Sequence, residues 1–140
     1  DKNDLRSYQK LLEIMGILRS PEGCPWDRKQ THESLKAYLL EETYEVMDAI
    51  ETEDTENLIE ELGDLLFQIV FRAQLGREEG LFTFNDVLEG INQKMVRRHP
   101  HVFMATEEIS TEKVLSSWDE IKKTEKQTQT ISDEMERIPK

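Results

Sequence analysis

Apolar residues recur at intervals of three and four along most of this chain, and no stretch alternates as a half-buried strand would. Leu5, Tyr8, Leu11, Leu12, Met15 and Leu18 draw one stripe on a first predicted helix. The segment SPEGCPW, residues 20–26, interrupts it. Its two prolines and glycine predict a loop, after which Asp27 and Gln30, three apart, resemble a capping box opening a second helix. Leu35, Leu39, Val46 and Ile50 are that helix's expected apolar side.

A third helix is predicted from about Thr55 to about Gly76, beyond the polar TEDTEN. Leu58, Leu62, Leu65, Leu66, Ile69 and Ala73 lie on one side of it, with Phe67 and Phe71 on another. That arc is wide for a lone surface helix, so the helix is either central or meets a partner chain. A fourth helix has Thr83 as its cap, Asp86 reaching back, and Phe82 placed to pack on Val87 as a hydrophobic staple. It is expected to stop near His99, because Pro100 disfavours helical geometry in the residue before it. HPHVF, residues 99–103, is read as extended, with His99 and His101 in a structural turn. Thr111 or Ser110 then opens a shorter helix with Val114, Leu115, Trp118 and Ile121 on one face. Hydrophobic rhythm fades after Lys123, so residues 124–140 are expected to be a polar tail or linker. The fold class predicted is all-α, an antiparallel bundle of four to five helices.

A length of 140 residues suits one domain with one core, placed here at residues 1–123. No apolar run approaches the roughly 20 residues of a membrane span. The charged start DKNDLRSYQK lacks a signal core, and the single Cys24 excludes an internal disulfide or a Cys-rich zinc site, so a cytoplasmic protein is expected.

Charge changes the picture more. The net charge of -12 arises from 30 acids against 18 bases. The stretch EETYEVMDAIETEDTENLIEELGD, residues 41–64, alone holds eleven carboxylates and no base, and the rest of the chain is nearly neutral. The acidity is a local deposit, and such a patch disfavours direct nucleic-acid binding.

Glu42 and Glu45 are three apart on the second predicted helix, and Glu61 and Asp64 are three apart on the third, so each pair projects from one face. None of Glu41, Glu42, Glu45, Glu60, Glu61 and Asp64 has a base four residues on. Asn57, Glu60, Glu61, Asp64, Gln68 and Arg72 are equally compatible with a solvated polar stripe. Energy separates the two readings. Two exposed carboxylates ~7 Å apart in water repel by roughly 0.6 kcal/mol, but ~5 Å apart at an effective dielectric of about 20 the figure is roughly 3 kcal/mol. Converging carboxylates therefore need a cation, or protonation through raised pKa values. Oxygen-only ligands favour a hard ion, Mg2+ or Mn2+ in its place. A di-iron bundle would need a histidine three residues after a glutamate, and none lies between His32 and His99.

Bases gather elsewhere. Lys94 and Arg98 are four apart with Arg97 beside them, and Trp118 and Lys122 repeat the spacing. Such groups neutralise phosphate oxygens, and an aromatic ring stacks on a base. Dipole partnership at a helix C-terminus and plain core packing of Trp118 explain the same residues.

These motifs together resemble a known family. EETYE at 41–45 followed by ELGD at 61–64 is similar to the EExxE and ExxD metal motif of the all-α nucleoside triphosphate pyrophosphohydrolases. GCPWD at 23–27, LEETYEV, EELGDLLFQIVF and RRHPHVF resemble MazG specifically, over about residues 8–123. The resemblance implies a magnesium-dependent enzyme that splits a nucleoside triphosphate into monophosphate and pyrophosphate. It implies Glu42, Glu45, Glu61 and Asp64 as metal ligands, with Glu41 as a further ligand or water-activating base. Lys94, Arg97, Arg98 and Lys122 would meet phosphates, Trp118 the nucleoside, and Trp26 either the base or the packing of its own loop. It further implies a homodimer or larger homo-oligomer, and a linker toward a second copy after ERIPK. A relative specific for pyrimidine deoxynucleotides or phosphoribosyl-ATP, or a copy that binds nucleotide without turnover, fits the same motifs.

Overall fold

The computed structural model describes residues 1–104 and 110–137, with side chains through Thr128. Every regular element among the described residues is helical, as expected: α1 (Lys2–Leu18), α2 (Pro25–Lys29), α3 (Lys36–Glu51), α4 (Thr55–Glu78), α5 (Phe84–Arg98), α6 (Pro100–Phe103) and α7 (Thr111–Arg137). Two compact units form, Asp1–Val87 and Leu88–Lys140.

In the first unit the core is Met15 of α1, Leu35 before α3, and Val70, Phe71 and Leu75 of α4, ringed by Leu11, Leu12, Leu66, Phe67 and Phe84. Of the predicted stripe on α1, Met15 is buried and Leu11 and Leu12 are partly buried against the core, whereas Leu5 is exposed. On α3 the buried residue is Ala49, and Ile50 points outward, contrary to expectation. Leu35 and Ala49, the fully buried residues here, lie within about 40° of each other around the helix axis, and Ile50 stands about 100° from Ala49, on the outer edge of the face that Leu39 and Val46 share.

Local chemistry explains the connections. Gly23 is required where the SPEGCPW loop folds back, since a Cβ there would lie 2.3 Å from the carbonyl oxygens of Ile17 and Leu18. Pro25 opens α2 at its first turn, where a missing N–H costs nothing. Asp27 therefore sits inside α2, largely buried, and not at the N-cap predicted for it. The reciprocal bonds appear instead between Thr31 and Ser34: each backbone N–H donates to the other's hydroxyl, at 2.8 and 3.1 Å.

Between α3 and α4 the link is only Thr52–Asp54. Glu53 adopts a left-handed φ of 54°, and Asp54 caps α4 by accepting from the Asn57 N–H at 3.1 Å. The α5 capping box is present as predicted, with Thr83 N–H donating to Asp86 Oδ2 at 2.8 Å and Asp86 N–H to Thr83 Oγ1 at 3.2 Å. Phe82 lies over Gly76, where an added Cβ would meet its ring at 2.6 Å.

The second unit departs further from expectation. HPHVF is not extended: Pro100 starts the single helical turn of α6, and the His99 carbonyl accepts from the N–H groups of Val102 and Phe103 at 3.0 and 3.2 Å. Proline restricts the residue before it but presets its own φ for a helix, so the same residue that ends α5 begins α6. The shorter helix expected from Ser110 or Thr111 is the 27-residue α7, and it continues through much of the expected tail. Residues 138–140 of that tail lie outside the described part.

Candidate functional site

The short link folds α3 and α4 into a hairpin with matched arms. Glu45 lies seven residues before Thr52 and Glu61 seven after Asp54, while Glu42 and Asp64 each lie ten away. At 1.5 Å per residue the two pairs sit at equal heights along antiparallel helices. One carboxylate oxygen from each of Glu42, Glu45, Glu61 and Asp64 comes within 4.8 Å of all the others. The polar stripe is thus more than a solvated face. Its far end turns inward as well, with Gln68 buried and Arg72 Nη1 donating to the His32 carbonyl at 3.0 Å.

The crowding moves protons. Glu42 is pushed up to about 7, first by burial and then by the charge of Glu45, with Asp64 and Glu41 adding to it. Glu61 also rises to about 7, first through its side-chain hydrogen bond with Glu45, then through burial and its acidic neighbours. Glu42 Oε2 and Glu61 Oε2 are buried without a hydrogen-bond partner. Two protons or a cation can relieve this arrangement, and the donor set fits a cation. Oxygens around one octahedral Mg2+ lie about 3 to 4 Å apart, so a small inward turn of these side chains brings all four into range.

Glu41 is exposed one position before Glu42. Trp26 is also exposed and meets Tyr38 edge-on, with ring centroids 5.6 Å apart, and Tyr38 stands one helical turn before Glu42 on α3. The loop carrying Trp26 is held by Arg19, which sequence reading missed. Its guanidinium donates to the Asp27 and Gln30 carbonyls at 2.6 and 3.2 Å, grips Glu78 through Nε and Nη2 at 3.0 and 2.7 Å, and lies over the Phe71 ring. A lone arginine beside a proline loop carries no sequence signal of such a role.

In the second unit, Arg97, Arg98 and Lys122 line one groove of about 650 Å³, together with Asp119, Lys123, Glu125 and Lys126. Lys94 and Trp118 are not among its lining residues. Trp118 stands edge-on to His99 at 5.2 Å, with its indole N–H buried and unpartnered. Sequence reading missed Glu125 because apolar rhythm stops before it, although α7 does not.

Fold and tetrad together define an all-α protein with a four-carboxylate candidate cation site on a helical hairpin. Residues 30–103, which contain that tetrad, match the family model described as the MazG nucleotide pyrophosphohydrolase domain. The chain is 54% identical over 133 residues to YabN of Bacillus subtilis, covering 95% of this chain and 27% of that protein. It is 52% identical over 119 residues to the nucleoside triphosphate pyrophosphohydrolase/pyrophosphatase MazG of Thermotoga maritima, covering 85% of this chain and 45% of that protein. The crystal structure of a mazG-related protein from Thermotoga maritima superposes with a TM-score of 0.70 at 33% identity, over 82% of this chain and 98% of that one. This chain belongs to the MazG family. It spans under half the length of the two curated relatives named here.

Proposed function

We propose that this domain hydrolyses nucleoside triphosphates to the monophosphate and pyrophosphate, with Mg2+ as cofactor, Mn2+ as a substitute, and broad base specificity. The observation that carries this reading is the meeting of Glu42, Glu45, Glu61 and Asp64 within 4.8 Å. The name of the Thermotoga maritima relative supports the reaction.

In this reading those four carboxylates would hold the ion, which would supply charge screening at the anhydride and make a nearby water more acidic. Glu41 takes the water's proton as the oxygen bonds to phosphorus; the anhydride P–O bond breaks and its electrons leave with the departing phosphate group. Lys94, Arg97, Arg98 and Lys122 neutralise phosphate oxygens, and Trp118 and Trp26 contact the nucleoside. The catalytic domain spans residues 1–123, in the cytoplasm. No described helix is long and apolar enough to cross a membrane.

A homodimer or larger homo-oligomer completes the proposal. Ile59, Leu62 and Ile69 of α4, together with Leu66, keep the spacing of a coiled-coil seam, and the first three are exposed. Leu40, Tyr44 and Met47 are exposed on α3 as well.

The test is pyrophosphate release from a panel of standard and altered triphosphates, with and without Mg2+. Wild type should turn over only with the ion, and Glu42→Gln or Asp64→Asn should lose at least a hundredfold while keeping the helical spectrum. Full activity in either variant sinks the assignment. Nucleotide binding without release would mark a silent copy of the domain.

A further inference from the structure

The groove between the end of α5 and the middle of α7 is strongly basic, yet an acid sits in its most donor-rich place. Arg97, Arg98, Lys122, Lys123 and Lys126 line it, against Asp119 and Glu125. Glu125 bridges the two guanidinium groups, its Oε1 accepting from Arg97 Nε and its Oε2 from Arg98 Nη2 at 3.1 Å. Those bonds, Arg97's first, hold the Glu125 carboxyl below the usual carboxylate range, so it is ionised at neutral pH.

A guanidinium fork receives a carboxylate and a phosphate with the same planar geometry. A carboxylate has two oxygens to offer, and both are engaged here. Arg98 Nε is nevertheless buried with no hydrogen-bond partner. A phosphate group brings three acceptor oxygens, one more than Glu125 has. The seat thus has more donors than its present occupant can use, and it lies inside a groove wide enough for a chain of phosphates.

We propose that Glu125 is an internal stand-in for a phosphate group, seated on Arg97 and Arg98 until a polyphosphate displaces it, so that it sets the affinity of the groove for phosphoanhydrides. This rests on the reading that Arg97, Arg98 and Lys122 are phosphate contacts. The occupant it predicts is a pyrophosphate unit, free or as part of a nucleotide. Displacement frees the Glu125 side chain to swing toward solvent from α7, and the arginines exchange one anion for another without losing their charge balance. A carboxylate in this place weakens every polyphosphate by the same factor, whatever its base.

The test is titration calorimetry of the full chain with inorganic pyrophosphate in metal-free buffer, which isolates anion binding from the acidic tetrad. Glu125→Gln should bind about tenfold tighter than wild type, with a steeper loss of affinity as salt is added. Glu125→Asp, which keeps the charge but cannot reach both guanidinium groups, should also bind tighter and guards against a folding defect in the first variant. Glu120→Gln removes the same charge from an exposed position on α7 and should leave affinity unchanged. Equal or weaker binding in both Glu125 variants would mean that Glu125 orients the arginines, and the proposal is wrong while the phosphate reading stands. Tightening by Glu120→Gln as large as that by Glu125→Gln would reduce the effect to general charge and also overturn it. If wild type and variants all fail to bind, and Arg98→Gln changes nothing, the phosphate reading of the groove fails with it.

Discussion

Glu42 and Glu61 show how a residue's surroundings become a stability curve. Both have folded-state pKa values raised to about 7 from an ordinary 4.5. Between those two values the folded chain binds more protons than the unfolded one, so the metal-free protein loses stability as pH rises through that window and levels off above it. Glu42→Gln carries a permanent neutral amide in place of the protonated acid. In chelator at pH 8 it should melt a few degrees higher than wild type, at roughly 4 °C per kcal/mol of repulsion removed, with a flatter pH profile. Melting curves from pH 4 to 9 check this, and added Mg2+ should raise the wild type more than the variant. The same residues were legible beforehand as two acidic pairs with no base four positions on. The raised pKa of Glu61 was not, because its first cause is the hydrogen bond with Glu45, which depends on which oxygens meet across the hairpin.

Elements are held together here by a few side chains with several partners. Arg19 links the end of α1, the carbonyls of α2 and its C-cap, and Glu78 at the end of α4, and its own side chain is only 10% exposed. Arg19→Ala should cost about 2 to 3 kcal/mol, since it leaves two carbonyls and a carboxylate without their donor. Arg19→Lys should recover only part of this, because an ammonium cannot fork. Urea unfolding measures both. Glu78 is held below its ordinary pKa, first by its hydrogen bond to Arg19, so this link stabilises fully above the ordinary carboxylate range and is lost as pH falls through the depressed value. Arg19→Ala should therefore remove part of the acid-induced loss that wild type shows. Sequence periodicity found α1, α4 and α5 because each has a clear stripe or cap. It misplaced the start of α2 because Pro25 outcompetes Asp27, and it stopped α7 early because a charged helix shows no apolar rhythm.

For the molecule as a whole, the exposed apolar seam on α4 and the stripe on α3 argue for a second copy of the chain. Light scattering should give at least twice the chain mass, and Ile59→Lys with Leu40→Lys should reduce it to one copy while the helical spectrum persists. A wild type that stays monomeric at tens of micromolar contradicts the proposed assembly. Sequence reading put Leu62 and Ile69 with Ala73 on one side of this helix and Phe71 on another, and the structure divides the arc differently. Val70, Phe71, Ala73 and Leu75 face the core, while Ile59, Leu62 and Ile69 remain outside.

Local pattern was enough for the all-helical class, the α5 capping box and the four acids on two helix faces, because these depend on residues three or four apart, and the family resemblance needs only short motifs in their order along the chain. Tertiary structure decided what depends on pairs far apart in the chain. The three-residue turn at Thr52–Asp54 sets Glu42 opposite Asp64 and Glu45 opposite Glu61; burial first, then the acidic neighbours, raises Glu42, and the hydrogen bond with Glu45 first raises Glu61. The unbroken run of α7 brings Glu125 back to Arg97 and Arg98, 28 and 27 positions away. Helical spacing says which side chains share a face. Only the packing of one helix on another says which faces meet, and charge becomes chemistry where they do.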